Sequence, residues 1–207
     1  FQKYIGGSPT NIAAGTARLG MRSALITRVG DEHMGRFIRE ELAREGVDVS
    51  GIVTDKERLT ALVLLGIRDE KQFPLIFYRE NCADMALCED DIDEGQIARS
   101  RSVVATGTHL SHPRTEAAVL KALRLARQHG ARTALDIDYR PNLWGLAGHG
   151  AGEARDERAV VIDQHERAVL GEFIGLECQV VFGHGCLQIG RTIAGSMPHP
   201  SVCWGFI

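Results

Sequence analysis

The residues best placed to do chemistry come first in the chain. Gly6-Gly7 stands directly before Ser8-Pro9-Thr10-Asn11-Ile12-Ala13, and further glycines follow at Gly20 and Gly30. Paired glycines before a helix let backbone approach a ligand closely. The unpaired N–H groups of a helix start can hold polar or anionic groups. Asn11 offers both a donor and an acceptor, which suits a sugar hydroxyl. A plain Gly-Gly turn with Asn11 on a helix surface satisfies the same spacing, so the segment alone leaves both readings open. Gly6-Gly7 is not followed by the G-x-G-x-x-G spacing, which argues against a dinucleotide-binding dehydrogenase.

The elements that must position these residues follow from periodicity. Ser8 as N-cap and Pro9 in the first turn open a helix over 8–19, and Gly20 ends it. Residues 23–29 read as a strand. Asp31 is a candidate cap for a helix near 33–45, where Met34, Phe37, Ile38, Leu42 and Ala43 follow helical spacing. Strand-like runs at 47–53, 59–67 and 73–79 come next, the last two separated by the polar turn Arg68-Asp69-Glu70-Lys71-Gln72. A helix starts near 92, then a strand (102–106), a long helix (113–129) stopped by Gly130, and a strand (132–138). Alternation of strands and helices predicts an α/β fold with a parallel sheet, from which 59–80 protrudes as a separate small sheet.

Composition narrows the class. The chain has 207 residues, 44% hydrophobic and 25% charged, as in ordinary globular proteins. A net charge of -3 gives no reason to expect a nucleic-acid or anionic-membrane partner. No apolar run is long enough to span a bilayer. The start, Phe1-Gln2-Lys3-Tyr4, lacks signal-peptide character and an initiator Met, so we expect a cytoplasmic protein whose first residue lies inside a longer chain. Five cysteines at irregular spacing, with no CxxC pair, are expected to be reduced thiols.

The organisation changes after about residue 155. Residues 173–207 contain Glu177 and Arg191 as their only Asp, Glu, Lys or Arg, and hold three of the five cysteines. We therefore expect a domain over 1–155 and an atypical tail over 156–207. The tail's Cys178, His184, Cys186, His199 and Cys203 are metal-ligand types, but their spacing fits no common zinc framework, and no metal site is assigned.

The spacing Gly-Gly-x-Pro-x-Asn-x-Ala, Gly20, Gly30 resembles the first signature of the ribokinase-like (PfkB) carbohydrate kinases. The similarity continues in order through Val29-Gly30-Asp31-Glu32-His33-Met34-Gly35, through Leu42-Ala43-Arg44-Glu45-Gly46-Val47-Asp48, and through Asp136-Ile137-Asp138-Tyr139-Arg140-Pro141-Asn142-Leu143-Trp144. The last resembles the family's D-x-N-x-R…LW segment, with Asp138 where Asn is usual. Within the family these segments are most similar to the 5-dehydro-2-deoxygluconokinase subfamily, followed by 2-keto-3-deoxygluconate kinases and fructokinases.

The resemblance implies a Rossmann-like parallel sheet flanked by helices, with a small β-lid over the sugar, here incomplete at both ends. The lid corresponds to 59–80, and lids in this family often pair two subunits, so a homodimer is expected. The implied reaction moves the ATP γ-phosphate to a primary hydroxyl of a sugar or sugar acid, with Mg2+. Gly6, Gly7 and Asn11 match the family's sugar contacts. Arg79, leaving the lid, and Arg140 match the arginines that reach acid substrates, and guanidinium suits a carboxylate. A surface lid position for Arg79, and an ion pair with Asp136 or Asp138 for Arg140, are the structural alternatives. Trp144 reads as packing.

The family's second signature, D-T-x-G-A-G-D, supplies the phosphoryl anion hole and the catalytic base. It is absent from these residues, so no catalytic residue is assigned. Gly150-Ala151-Gly152-Glu153 lacks the preceding Asp-Thr and reads as a loop. A strand carrying a sugar-binding Asp, which the family places before Gly6, is also missing. The expectation is a truncated or frame-disrupted, inactive form that keeps sugar-binding elements.

Overall fold

A computed structural model describes residues 2–65, 75–136, 144 and 203–206. Its helices are α1 (Ser8–Arg18), α2 (His33–Arg44), α3 (Glu94–Ala98) and α4 (Pro113–Gln128). Its strands are β1 (Arg22–Leu25), β2 (Thr27–Gly30), β3 (Val47–Asp48), β4 (Ile52–Asp55), β5 (Leu62–Leu65), β6 (Leu75–Tyr78), β7 (Ser102–Thr106), β8 (Arg132–Asp136) and β9 (Cys203–Phe206).

The main sheet is parallel throughout, in the order β3-β1-β9-β7-β8. A second parallel pair is β2-β4, and β5-β6 form an antiparallel hairpin. The single strand expected at 23–29 is thus shared between two sheets, broken at Ile26. The run expected at 47–53 is likewise divided into β3 and β4. Ile26 is fully buried, and the break lets Leu25 and Ile26 serve different cores.

Those cores lie on the two faces of the sheet. One joins Ile26, Val103 and Ala105 to Leu87, Ile97 and the α4 residues Ala118, Val119, Ala122, Leu123 and Ala126, with Trp144 packed against it. The other joins Leu25, Val29, Val47 and Ile52 to Ala13 and Ala14 of α1 and Leu42 of α2. The alternation of Val103 and Ala105 with Val104, which packs on the second core, is the period-two pattern of a strand covered on both sides.

The helix ends follow from local chemistry. α4 closes with Gly130 at φ 73, its N–H on Arg127 O and the Ala131 N–H on Ala126 O. This is a Schellman closure, which needs a left-handed residue that glycine supplies without strain. α1 ends the same way at Gly20. The starts differ from the expected caps. Gly7, at φ 90, is the N-cap of α1, and Ser8 is already helical. Glu32, not Asp31, caps α2, accepting from the Met34 and Gly35 N–H groups. Glutamate's longer arm reaches back to those donors, a role that short polar residues more often fill.

Among the described residues no helix is long and apolar enough to cross a membrane.

Candidate functional site

Gly6 and Gly7 lie exposed at the mouth of α1. A Cβ built on either would meet nothing within 4 Å, so open space, not packing, surrounds them. Gly7 is constrained instead by its backbone: φ 90 is costly for a residue with a side chain. Its carbonyl accepts the Asn11 N–H at 2.9 Å, which closes the first turn and leaves the Asn11 side chain exposed. Upstream of Gly6, the Lys3 ammonium sits 4.3 Å from the centroid of the Phe37 ring of α2.

Ser8 supplies the link that periodicity did not reveal. Its hydroxyl donates to Asp136 Oδ2 at the C-terminal end of β8. The start of α1 is therefore joined to the strand end that leads into the Asp136–Trp144 segment. Ligands of open α/β sheets bind outside the carboxyl ends of the strands. Arg140 lies outside the described residues, as do Asp138 and the rest of 137–143.

Arg79 follows β6 directly. Its Nε donates to Asp84 Oδ2 at 2.5 Å, and its side chain is only 11% exposed. It is not the free surface arginine of the structural alternative. The other Asp84 oxygen, Oδ1, is buried and has no hydrogen-bond partner among the described residues. A buried acceptor of that kind calls for a donor, and a water or ligand hydroxyl would satisfy it.

The base of the β5-β6 hairpin is pinned to the sheet. The Thr60 hydroxyl donates to Glu32 Oε1 and accepts the Gly30 N–H at 2.9 Å, while the Thr60 N–H also reaches Glu32 Oε1 at 3.2 Å. Burial alone would push the Glu32 carboxyl up. Donation from the Thr60 hydroxyl and from the Met34, Thr60 and Gly35 N–H groups outweighs it and holds the carboxyl below its ordinary range. The return from the hairpin is tied by the Ala83 N–H on Leu59 O at 2.8 Å and by Arg58 Nε on Asn81 Oδ1 at 3.2 Å. Glycine is obligatory at position 35, because a Cβ there would fall 2.1 Å from the Gly30 carbonyl oxygen.

A third cluster braces the sheet beneath. Arg28 grips Asp91 through Nε at 2.7 Å and Nη2 at 2.8 Å, and reaches Asp55 at 3.3 Å. The bonds from Asp91 raise the guanidinium above its ordinary range. Both carboxyls are held low despite burial, Asp91 by Arg28 and Asp55 by the Glu57 and Arg58 N–H groups and the Arg58 side chain.

Of the five substrate residues expected from sequence, the structure thus sets Gly6, Gly7 and Asn11 at one helix mouth and Arg79 at the lid base. Sequence reasoning missed the Ser8–Asp136, Arg79–Asp84 and Glu32–Thr60 contacts. Each joins residues on different elements, so no local pattern marks them. Among the described residues no three His, Cys, Asp or Glu side chains are grouped to hold a metal ion, and none is assigned to Mg2+.

The comparisons with known proteins agree with this architecture. The family described as pfkB family carbohydrate kinase matches residues 1–149. A curated relative from Geobacillus kaustophilus, 5-dehydro-2-deoxygluconokinase, is 44% identical over 145 residues, covering 70% of this chain and 43% of its own length. The crystal structure of a PfkB protein from Polaromonas sp. JS666 superposes with a TM-score of 0.66 at 32% identity, over 70% of this chain and 49% of that one. A sugar kinase from Pyrococcus horikoshii, solved in complex with ATP, gives a TM-score of 0.65 at 29% identity, over 70% of this chain and 47% of that one. The chain spans less than half the length of the curated relatives it matches. With the ordered signatures, the two-faced parallel sheet and the protruding hairpin in agreement, the chain belongs to the PfkB family of carbohydrate kinases.

Proposed function

We propose that this chain carries the sugar-binding part of an ATP-dependent kinase for a sugar acid, namely 5-dehydro-2-deoxy-D-gluconate, phosphorylated at its primary hydroxyl in inositol breakdown. 2-Keto-3-deoxygluconate and fructose are the rival substrates. The observation that carries the reading is the Ser8–Asp136 contact, which ties the open Gly6-Gly7 mouth of α1 to the strand end leading to Arg140. Gly6, Gly7 and Asn11 would face the sugar hydroxyls, and Arg79 and Arg140 its carboxylate. For Arg79 this requires the substrate to share or displace its bond to Asp84. The curated relatives, named 5-dehydro-2-deoxygluconokinase at 37–44% identity, support the same substrate.

Residues 1–155 form the kinase domain in this reading, with 59–80 as the lid. The lid exposes Leu62, Val63, Ile76 and Tyr78, an apolar surface suited to pairing with a second lid in a homodimer. ATP and Mg2+ belong to the reaction of the intact family enzyme, and a cytoplasmic setting belongs to the same proposal. No residue of this chain is assigned as catalytic base.

The test combines thermal stabilisation with a coupled ADP-release assay, using ATP, Mg2+ and the three substrates in parallel. We expect a rise in Tm with 5-dehydro-2-deoxygluconate larger than with fructose, and its loss in Arg79→Ala. Stabilisation by fructose alone would overturn the acid assignment. Turnover with any of the three would show that these residues hold a base that the sequence does not reveal. No stabilisation by any sugar would overturn the sugar-binding reading.

A further inference from the structure

Two arginines with little exposure are held in different ways. Arg28, its side chain 17% exposed, spends Nε, Nη1 and Nη2 on the carboxylates of Asp91 and Asp55. All its nitrogens are engaged, as a structural brace requires. Arg79, 11% exposed, makes one contact, Nε to Asp84 Oδ2 at 2.5 Å, and its Nη1 and Nη2 carry no hydrogen bond among the described residues. A guanidinium so enclosed normally pairs its donors. Nη1 and Nη2 also form the end-on fork that matches a carboxylate. The bonds Arg79 leaves unmade thus lie on the edge that an acid ligand would use.

Asp84 stands on the anchored side of this contact. It belongs to the 3-10 turn Ala83–Ala86, which packs on β2. Ala83 and Ala86 are buried, and Leu87 after them is fully buried in the core of Ile26 and Val103. Arg79 stands on the lid side, at the end of β6. Between them the chain folds back: the Cys82 N–H reaches Arg79 O at 3.3 Å, with Asn81 at φ 51. Asparagine tolerates that left-handed conformation better than most residues. The turn sets a sheet-anchored carboxylate against a lid guanidinium. Among the described residues Arg79 is the group that answers this carboxylate, since Asp84 Oδ1 has no hydrogen-bond partner there.

We propose that Asp84 is a positioning residue for acid recognition: it holds Arg79 through Nε and so presents Nη1 and Nη2, already oriented, to the carboxylate of the ligand. The inference rests on the sugar-acid reading above and adds that Asp84 keeps its bond when the acid binds. The two acceptors use different edges of one planar group, so neither need displace the other. A guanidinium fixed beforehand loses less side-chain freedom on binding. A mere counter-ion, which the acid must displace, would have the opposite effect: its removal would tighten binding.

The test titrates the whole chain, as wild type, Asp84→Asn and Asp84→Glu, with 5-dehydro-2-deoxygluconate and with fructose by calorimetry. Asp84→Asn should weaken the acid by about tenfold or more and fructose by less than about twofold. Asp84→Glu keeps the charge that folding needs but pushes the guanidinium outward by about 1.5 Å, one carbon–carbon bond, and should weaken the acid by about threefold or more. A thiol reports the pair without any sugar. Burial and the Asp84 carboxylate push the Cys82 thiol up, and Arg79 pulls it down. The pH midpoint of Cys82 alkylation, read by peptide mass mapping, should therefore fall in Asp84→Asn and rise in Arg79→Ala. Unchanged or tighter acid binding in a variant that unfolds cooperatively would overturn the proposal. So would equal weakening of acid and fructose, as a purely structural role predicts, or a Cys82 midpoint that neither variant moves. Wild type that fails to bind the acid would overturn the sugar-acid reading and this proposal with it, whereas wild type and Asp84→Asn that bind it alike would overturn the role of Asp84 alone.

Discussion

Removing one hydroxyl at the base of the lid tests whether the Glu32–Thr60 contact positions it. Thr60→Val keeps the branched shape and deletes the oxygen that donates to Glu32 and accepts from Gly30. A hydrogen bond to a charged group contributes about 1.5–3 kcal/mol, and an orphaned buried N–H costs about 1–3 kcal/mol. Gly30 is buried, but Glu32 is only half-buried, so solvent weakens the first contribution. We expect a net loss of about 1.5–3 kcal/mol, or roughly 3–12 °C in Tm for a chain of this size. Urea unfolding of wild type, Thr60→Val, Glu32→Gln and the double variant would measure the coupling. The pH dependence adds a sign. Glu32 is held below its ordinary range when folded, so its contribution is complete above about pH 4.3 and disappears as pH falls through the lower folded value. The penalty of Thr60→Val should therefore shrink in acid. A loss under about 0.5 kcal/mol at pH 7, or additive single variants, would refute the reasoning.

Two further outcomes follow from the same geometry. Gly35→Ala drives a Cβ to within 2.1 Å of the Gly30 carbonyl and should cost about 3 kcal/mol or more, whereas Gly15→Ala in α1, with nothing within 4 Å, should stabilise by about 0.5–1 kcal/mol. Equal effects in chemical denaturation would show that the turn before α2 is not tightly packed. The carboxyls of Glu32, Asp55 and Asp91 all lie below their ordinary range, so folding stability should fall steadily as pH drops below about 4. Asp91→Asn should flatten that decline relative to wild type in urea midpoints at pH 6 and pH 3, since it removes one of the titrating groups.

The order of elements was legible because each carries its own period and stop. α4 and β7 appear within a residue of where spacing predicts them, since Gly130 ends one and Val103, Val104 and Ala105 form a short apolar run for the other. The hairpin also stood out, since two β-rich runs flank a polar turn. The glycines and Asn11 marked an exposed helix mouth, while residue type alone left open whether it faces a ligand or is a plain turn. The sequence did not show that 23–29 divides between sheets at Ile26, because both halves have the same strand-like composition and only the two cores distinguish them. Nor did it show that Glu32 outcompetes Asp31 as cap, which depends on Thr60 arriving from another element to share the carboxylate. The partners of Ser8 and Arg79 are likewise tertiary. The place of Cys203–Phe206 between β1 and β7 brings together segments remote in sequence, which no local pattern marks. Local pattern determines which segments form helices and strands. Which strands become neighbours is decided by burial on both faces of the sheet, a property of the assembled chain.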